Sequence, residues 1–108
     1  MAGRTQRMNS YRISEAAEYD LTAIWNWIAG DNRTAADQLM EDIRLGCEQI
    51  VQHPESGGRR PGWTSDPVRF LIVRTYYCVV YMPATSPVEI VRVFHTSRDI
   101  PAILATES

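Results

Sequence analysis

The segment from Arg92 to Asp99 carries the side chains of this chain that are best suited to chemistry. It reads Arg-Val-x-His-x-x-Arg-Asp, so an imidazole stands between two guanidinium groups. His95 is the candidate general base, and Arg92 and Arg98 could offer positive charge to an anionic substrate or partner. The same pattern also fits a histidine packed at the end of a strand, with surface arginines around it. Both interpretations stay open at this point.

All eleven basic residues are arginines. Without lysine, no amine side chain can act as a base or nucleophile, and arginine serves as an electrostatic clamp or bidentate donor. Arg59 and Arg60 stand with Trp63 in a loop rich in proline and glycine, residues 53–67. The formal net charge of −2 argues against a general nucleic-acid binder.

The two cysteines, Cys47 and Cys78, each lie within an apolar pattern. This placement predicts buried thiols rather than a disulfide framework. A zinc site formed by both cysteines with His53 and His95 is conceivable, but no pair has the spacing typical of metal ligands. We therefore expect neither a metal nor a cofactor.

The bulk properties indicate one small soluble domain. A chain of 108 residues can bury a single modest core, and 44% hydrophobic with 22% charged residues is ordinary for a globular protein. No apolar run approaches the roughly 20 residues that span a bilayer, and the start of the chain lacks a signal-peptide core. We expect a cytoplasmic protein with a flexible tail over residues 1–9 and one domain over residues 10–108.

Two amphipathic helices are predicted after a short strand over residues 10–13. Ser14 is the candidate N-cap of the first helix, and Gly30 ends it. Thr34 and Asp37 resemble a capping box that opens the second, which runs to about Gln52. The short connection predicts an antiparallel helix hairpin. Apolar residues at helical spacing define the buried stripes: Ala17, Leu21, Ile24 and Ile28, with Trp25 beside them, then Ala36, Met40, Ile43, Cys47 and Ile50, with Leu39 beside them.

Three β-rich runs follow near residues 68–75, 76–82 and 88–94, and tight turns between them predict an antiparallel meander. Apolar side chains occupy both faces, and strict alternation in the third run places Ile90 and Phe94 opposite Val91 and Val93. Two helices cover only one face of a small sheet. Leaving about 400 Å² of the other face exposed would forgo about 10 kcal/mol. Either residues 100–104 fold over part of that face, or a partner covers it.

This order of elements and its residues resemble the RelE/ParE superfamily of toxins from bacterial toxin–antitoxin pairs. The resemblance implies an α+β fold with a short N-terminal strand, an antiparallel helix hairpin and a three-stranded antiparallel meander. It is carried by Tyr11, Arg12, Ile13, Ser14, Ala17, Asp20, Leu21, Ile24, Ala35, Ala36, Pro54, Gly57, Gly58, Arg59, Val68, Arg69, Tyr77, Val79, Val80, Tyr81, Ile90, Val91, Arg92, Val93, Phe94, His95, Arg98 and Asp99. The final motif is most similar to the ParE branch.

The RelE branch implies ribosome-dependent cleavage of messenger RNA, which needs a base, cations for the phosphorane and a proton donor. In this chain that chemistry would fall to Arg69, His95 and Arg98. Leu71 and Cys78 stand where the nuclease branch is expected to have basic residues, and Leu104 stands where it is expected to have a tyrosine. These departures favour a protein that is not an enzyme.

The ParE branch implies an inhibitor of DNA gyrase that arrests growth, stabilises plasmids and is neutralised by a cognate antitoxin in a hetero-oligomer. It implies no direct sequence-specific nucleic-acid binding by the toxin alone. The candidate target contacts are Arg59, Arg60, Trp63, Arg69, Arg92, His95 and Arg98. The candidate antitoxin contacts are Leu71, Val73, Tyr77, Val79, Tyr81, Val91, Val93, Ile100, Ile103 and Leu104. A third possibility is a module that has lost toxicity and serves only as an antitoxin partner or co-repressor.

Overall fold

A computed structural model describes residues 11–106 of the chain. The elements in chain order are β1 (Tyr11–Ile13), α1 (Glu15–Ala29), α2 (Arg33–Gln52), β2 (Arg69–Val73), β3 (Tyr77–Met82), β4 (Val88–His95) and α3 (Ile100–Thr106). The tail predicted over residues 1–9 lies outside the described residues. No helix in the described range is long and apolar enough to cross a membrane.

The sheet has four strands in the order β1-β4-β3-β2. The pairs β2–β3 and β3–β4 are antiparallel, which confirms the predicted meander. The short N-terminal strand is also confirmed. It lies parallel to β4, with Tyr11 beside Val88, so the sheet as a whole is mixed. The fold is α+β, with the helix hairpin on one face of this sheet.

The N-terminus of α1 is capped as predicted, because the Ser14 hydroxyl accepts a hydrogen bond from the Ala17 N–H at 3.0 Å. The predicted start of α2 is wrong by two residues. Its N-cap is Asn32, whose side-chain oxygen accepts from the Ala35 N–H at 3.0 Å. Asparagine is at least as good an N-cap as threonine, so the helix extends back over Arg33 and Thr34.

The first core lies between the helix hairpin and one face of the sheet. Its buried members come from both layers: Ala17, Leu39, Ile43, Cys47, Ile50, Val73, Val79, Tyr81, Val88, Ile90 and Val93. Four of these, Val73, Val79, Tyr81 and Val93, are candidate antitoxin contacts from the sequence. The helices cover these four side chains, so none of them is accessible to an antitoxin in this structure, and this part of the prediction disagrees with it. Alternation along a strand separates the two faces but does not say which face the helices choose.

The second core occupies the opposite face of the sheet. Phe70, Cys78, Val80 and Phe94 are buried there against Ile100 and Leu104 of α3, with Trp63 and Ile103 packed at the margin. Of the two sequence-based possibilities for this face, the one in which residues 100–104 fold over it is found. Ile100 and Leu104, predicted as antitoxin contacts, are thus part of the core of this chain.

A β-bulge in β4 changes which of its residues share a face. Val80 pairs with Arg92 and Tyr81 pairs with Ile90, so Val91 is the extra residue on the bulged strand. As a result Ile90 and Val93 both face the helices, whereas Val91 and Phe94 lie on the opposite side. The strict alternation expected for this run is therefore wrong. A bulge depends on the pairing between two strands, so it cannot be detected from the alternation of residues along one strand.

Candidate functional site

The ribonuclease interpretation combines three residues, and the sheet register separates one of them, Arg69, from the other two, His95 and Arg98. Arg69 begins β2 and pairs with Tyr81, whereas His95 ends β4 and pairs with Tyr77. Tyr77 pairs in turn with Val73, four residues along β2 from Arg69. At about 3.3 Å per residue, Arg69 and His95 start about 13 Å apart along the strand direction. Arg98 follows His95, so these two share one end of the sheet and Arg69 lies at the other.

Arg69 is engaged in holding the loop that follows α2. Its guanidinium donates to the Gly57 carbonyl at 2.8 Å. On the same loop, the buried Tyr81 hydroxyl accepts from the Gly57 N–H at 2.8 Å and donates to the Pro54 carbonyl at 2.5 Å. Gly58 then pairs with Phe70 through two backbone hydrogen bonds, of 3.0 and 2.9 Å. These contacts attach the start of this loop, residues 53–67, firmly to β2 and β3. We call it the arginine-bearing loop.

Arg59, Arg60 and Trp63 are carried on that loop. The Arg60 guanidinium lies 5.5 Å from the centre of the Trp63 ring, a cation–π distance. Trp63 in turn meets Phe70 edge to face, with ring centroids 5.1 Å apart. Trp63 is therefore largely a packing residue that supports Arg60, and both Arg59 and Arg60 are exposed.

Arg92, another predicted target contact, is mostly buried and paired with Asp20 of α1. Its Nε and one terminal nitrogen donate to the two carboxylate oxygens at 2.7 and 2.9 Å, and the Val93 N–H donates to the same carboxylate at 2.9 Å. The hydrogen-bonded carboxylate raises the pKa of the Arg92 guanidinium further above its ordinary value. Its guanidinium also lies 4.7 Å from the Phe94 ring centre. This geometry gives Arg92 a structural role between helix and sheet.

His95 lies half-buried at the end of β4, between two tyrosines. Its ring lies nearly parallel to that of Tyr76, with centroids 6.1 Å apart, and meets Tyr77 edge to face at 5.1 Å. The Nδ1 atom accepts a hydrogen bond from the Ser97 N–H at 3.0 Å. Because Nδ1 accepts this hydrogen bond, its lone pair is not free for a substrate hydroxyl, and Nε2 is the ring nitrogen that remains as a donor. His95 is thereby suited to stacking and to donation rather than to general-base work.

Arg98 and Asp99 divide two tasks. Asp99 accepts from the Ala102 N–H at 3.3 Å and so caps the start of α3. Arg98 is exposed, and its guanidinium makes no hydrogen bond or ion pair within residues 11–106. It lines a groove of about 430 Å³ together with Ala23, Ile24, Trp27, Tyr77, His95 and Ser97. Two of the predicted target contacts, His95 and Arg98, meet in this groove, together with the predicted antitoxin contact Tyr77.

The two thiols lie in separate environments. Cys47 belongs to the core under the helices and Cys78 to the core under α3. Burial raises the pKa of Cys47 to about 12 and that of Cys78 to about 11. Within residues 11–106, no three His, Cys, Asp or Glu side chains converge as metal ligands would. The prediction of buried thiols is confirmed.

Sequence reasoning missed two aromatic residues beside this groove. Trp27 and Tyr76 remain 85% and 60% exposed, respectively. Trp27 lies outside the apolar stripe of α1, and this position is the feature of the sequence that could have identified it as exposed. Tyr76 lies in a three-residue turn between β2 and β3, where Arg74 and Thr75 adopt positive φ angles of 56° and 67°. That turn presents the Tyr76 ring next to His95.

Comparison with known proteins agrees with this architecture. Residues 11–100 match the family described as ParE toxin of type II toxin-antitoxin system, parDE. Among solved structures, the chain is similar to one described as the chromosomal ParDE TA system from P. aeruginosa, with a TM-score of 0.63 and 20% sequence identity over 79% of this chain and 92% of that chain. No curated protein sequence matches the chain.

The family match spans most of the chain, and the structural likeness independently shows the same fold. The chain belongs to the ParE toxin family of type II toxin–antitoxin systems. The resemblance inferred from its sequence, including the choice of the ParE branch, is thereby confirmed.

Proposed function

We propose that this protein is a toxin that inhibits DNA gyrase and is held inactive by a cognate antitoxin in a hetero-oligomer. The observation that carries the proposal is the family match over residues 11–100. Toxins of this branch are expected to act by binding their target, with no catalytic step of their own. The proposal thus requires a contact surface rather than an acid–base set.

The placement of the candidate catalytic residues supports a binding mechanism. Arg69 is committed to the Gly57 carbonyl at one end of the sheet, and His95 accepts from Ser97 at the other. A phosphoryl-transfer site would need a base and cations within hydrogen-bond reach of one reacting group. The ribonuclease interpretation combines residues that this register keeps apart.

Four candidate antitoxin contacts from the sequence are half-buried and not enclosed in either core, so they stay in the proposal. They lie on both sides of the sheet: Leu71 and Tyr77 pack at the margin of the core under the helices, and Val91 and Ile103 at that under α3. An antitoxin that contacted all four would have to reach around the domain. An extended segment that orders on binding can wrap a surface in this way.

The test is a cleavage assay with purified protein, gyrase, supercoiled plasmid and ATP, scored for linear DNA. The expected result is accumulation of linear plasmid that depends on gyrase and disappears when the antitoxin is added. A chain that arrests growth but leaves the plasmid uncut would overturn the gyrase assignment. Cleavage of ribosome-bound RNA by the wild type, lost in His95→Ala, would establish the nuclease alternative. A chain that causes no growth arrest would indicate the non-toxic module.

A further inference from the structure

The groove between α1 and the end of the sheet has features of a ligand site rather than of an unfilled surface. Ala23, Ile24 and Trp27 line it from α1, and Tyr77 and His95 line it from β3 and β4. Ser97 and Arg98 belong to the segment that follows β4. Its volume of about 430 Å³ lies within the range of roughly 300–1,000 Å³ typical of small-ligand sites. None of the residues that line it is acidic.

Flat aromatic surfaces border this groove and are available for stacking. Trp27 is 85% exposed, and Tyr76, which lies against the His95 ring, is 60% exposed. They are two of the five large apolar or aromatic side chains in the described range that remain strongly exposed. Aromatic rings left in water next to a concave surface favour a ligand with a planar face.

The polar groups of the groove favour an anion next to that planar face. Arg98 is an exposed cation whose guanidinium has no partner within residues 11–106. His95 uses Nδ1 to accept from the Ser97 N–H, which leaves Nε2 as the ring's donor. A planar ring system attached to a negative group is the chemistry of a nucleotide. Aromatic platforms combined with cations are the recurring device by which proteins bind unpaired nucleotides.

We infer that this groove binds an unpaired nucleotide of single-stranded DNA, with its base against Trp27 and its phosphate at Arg98. The inference adds a DNA contact to the proposed function. It rests on that function for the source of the DNA, because a gyrase inhibitor acts where DNA is held cleaved. Binding itself is a property of this chain and is measured without gyrase. The groove takes a single nucleotide and requires no sequence specificity, because every base presents a planar face. The net charge of −2 disfavours extended contacts with a nucleic-acid backbone, and a site with one arginine needs none.

The test is fluorescence anisotropy of a labelled oligodeoxythymidine titrated with the purified full chain. The expected results are binding that weakens with salt and a duplex of matched length that binds more weakly. Trp27→Ala should weaken binding about tenfold, in line with the loss of one base stack. Arg98→Ala should weaken binding and lower the magnitude of the slope of log K against log salt concentration by about one, as expected for the loss of one phosphate contact.

Two matched controls separate the groove from general surface effects. Tyr19→Ala removes an aromatic that is 74% exposed on the same helix but outside the lining of this groove. Arg12→Ala removes one positive charge from β1, where the side chain is 67% exposed. Both should bind the oligonucleotide as the wild type does, apart from a small uniform charge effect. If all four variants bind equally, or if the wild type does not bind, the inference is wrong.

Two further measurements distinguish DNA from RNA as the ligand, and failure of this inference from failure of the proposed function. Tighter binding of oligouridine than of oligodeoxythymidine would assign the groove to RNA and overturn the DNA assignment. Loss of gyrase-dependent cleavage in Trp27→Ala, with no oligonucleotide binding by the wild type, would assign the groove to a protein contact and overturn the inference. Oligonucleotide binding without any gyrase-dependent cleavage would leave the groove assignment standing and remove the gyrase proposal.

Discussion

Arg92 of β4 and Asp20 of α1 form a bidentate ion pair, with nitrogen–oxygen distances of 2.7 and 2.9 Å, across the contact between helix and sheet. Their side chains are only 13% and 11% exposed. The same carboxylate accepts the Val93 N–H two residues after the bulged Val91. One carboxylate thus fixes the position of α1 and satisfies the backbone where the regular ladder is disturbed.

Removal of that carboxylate should destabilise the fold substantially. We expect Asp20→Ala to lower the free energy of unfolding by about 3 kcal/mol, because it leaves a buried guanidinium and a backbone N–H without their partner. The measurement is urea denaturation followed by far-UV circular dichroism. The matched control is Glu89→Ala, which breaks the partly exposed pair with Arg12 and should cost no more than about 1 kcal/mol. Equal losses in the two variants would contradict the structural role of the pair.

Tyr81 should be important for the attachment of the arginine-bearing loop. In Tyr81→Phe, the ring still fills the core, but the Gly57 N–H and the Pro54 carbonyl lose their partner. We expect a loss of about 1–3 kcal/mol in the free energy of unfolding. Faster hydrogen exchange over residues 54–60 should accompany it. Tyr19→Phe, at a side chain that is 74% exposed, should change stability by less than about 0.5 kcal/mol.

Two adjacent glycines offer a matched test of close packing under the same loop. A Cβ atom at Gly57 would lie 2.8 Å from the Phe70 carbonyl oxygen and 2.8 Å from Tyr81 Cε1, whereas one at Gly58 would meet nothing within 4 Å. We expect Gly57→Ala to cost about 1–3 kcal/mol. Gly58→Ala should be neutral or stabilising by up to about 1 kcal/mol, because it restricts the unfolded chain. Thermal unfolding compares the pair, and a larger loss in Gly58→Ala would contradict this packing.

Much of the architecture could be predicted because its causes are local. The apolar stripes of α1 and α2 and the Ser14 cap follow from helical periodicity and capping chemistry, and the meander follows from β-rich runs separated by short turns. Three features could not be predicted in this way. The seven-residue α3 is too short to show periodicity, the bulge at Val91 arises from pairing with β3, and the side of the sheet that the helices cover depends on the whole fold.

The candidate site was predicted only in part, for a similar reason. His95 and Arg98 do meet in one groove, but Arg92 is committed to Asp20 and Arg69 to Gly57. A sequence shows that a charge is present, and it does not show which partner neutralises it. Tyr76 was missed because its exposure results from the turn between β2 and β3, whereas Trp27 was passed over although it lies outside the apolar stripe of α1.

The turn between β2 and β3 should be improved by glycine. Thr75 adopts a φ of 67°, which is unfavourable for a β-branched residue and costs glycine nothing. We expect Thr75→Gly to raise the free energy of unfolding by about 1 kcal/mol, because relief of strain exceeds the added entropy of the unfolded chain. Thr96→Gly is the control, since Thr96 has no positive φ and the change should destabilise. Urea denaturation of both variants tests this contrast, and a loss of stability in Thr75→Gly would contradict it.

The buried thiols should make the protein progressively less stable in alkali. Burial raises the pKa of Cys47 from 9.0 to about 12 and that of Cys78 from 9.0 to about 11. Above about pH 9 the unfolded chain releases these protons while the folded chain retains them, so the contribution of each thiol is complete below pH 9 and is lost as the pH rises towards the folded pKa. Each thiol should contribute a slope of up to about 1.4 kcal/mol per pH unit. Urea midpoints measured between pH 8 and 10.5 should therefore fall in the wild type, and fall less steeply in Cys47→Ala even though that variant starts from a lower stability. Parallel slopes in the two proteins would show that Cys47 is accessible to deprotonation in the folded state.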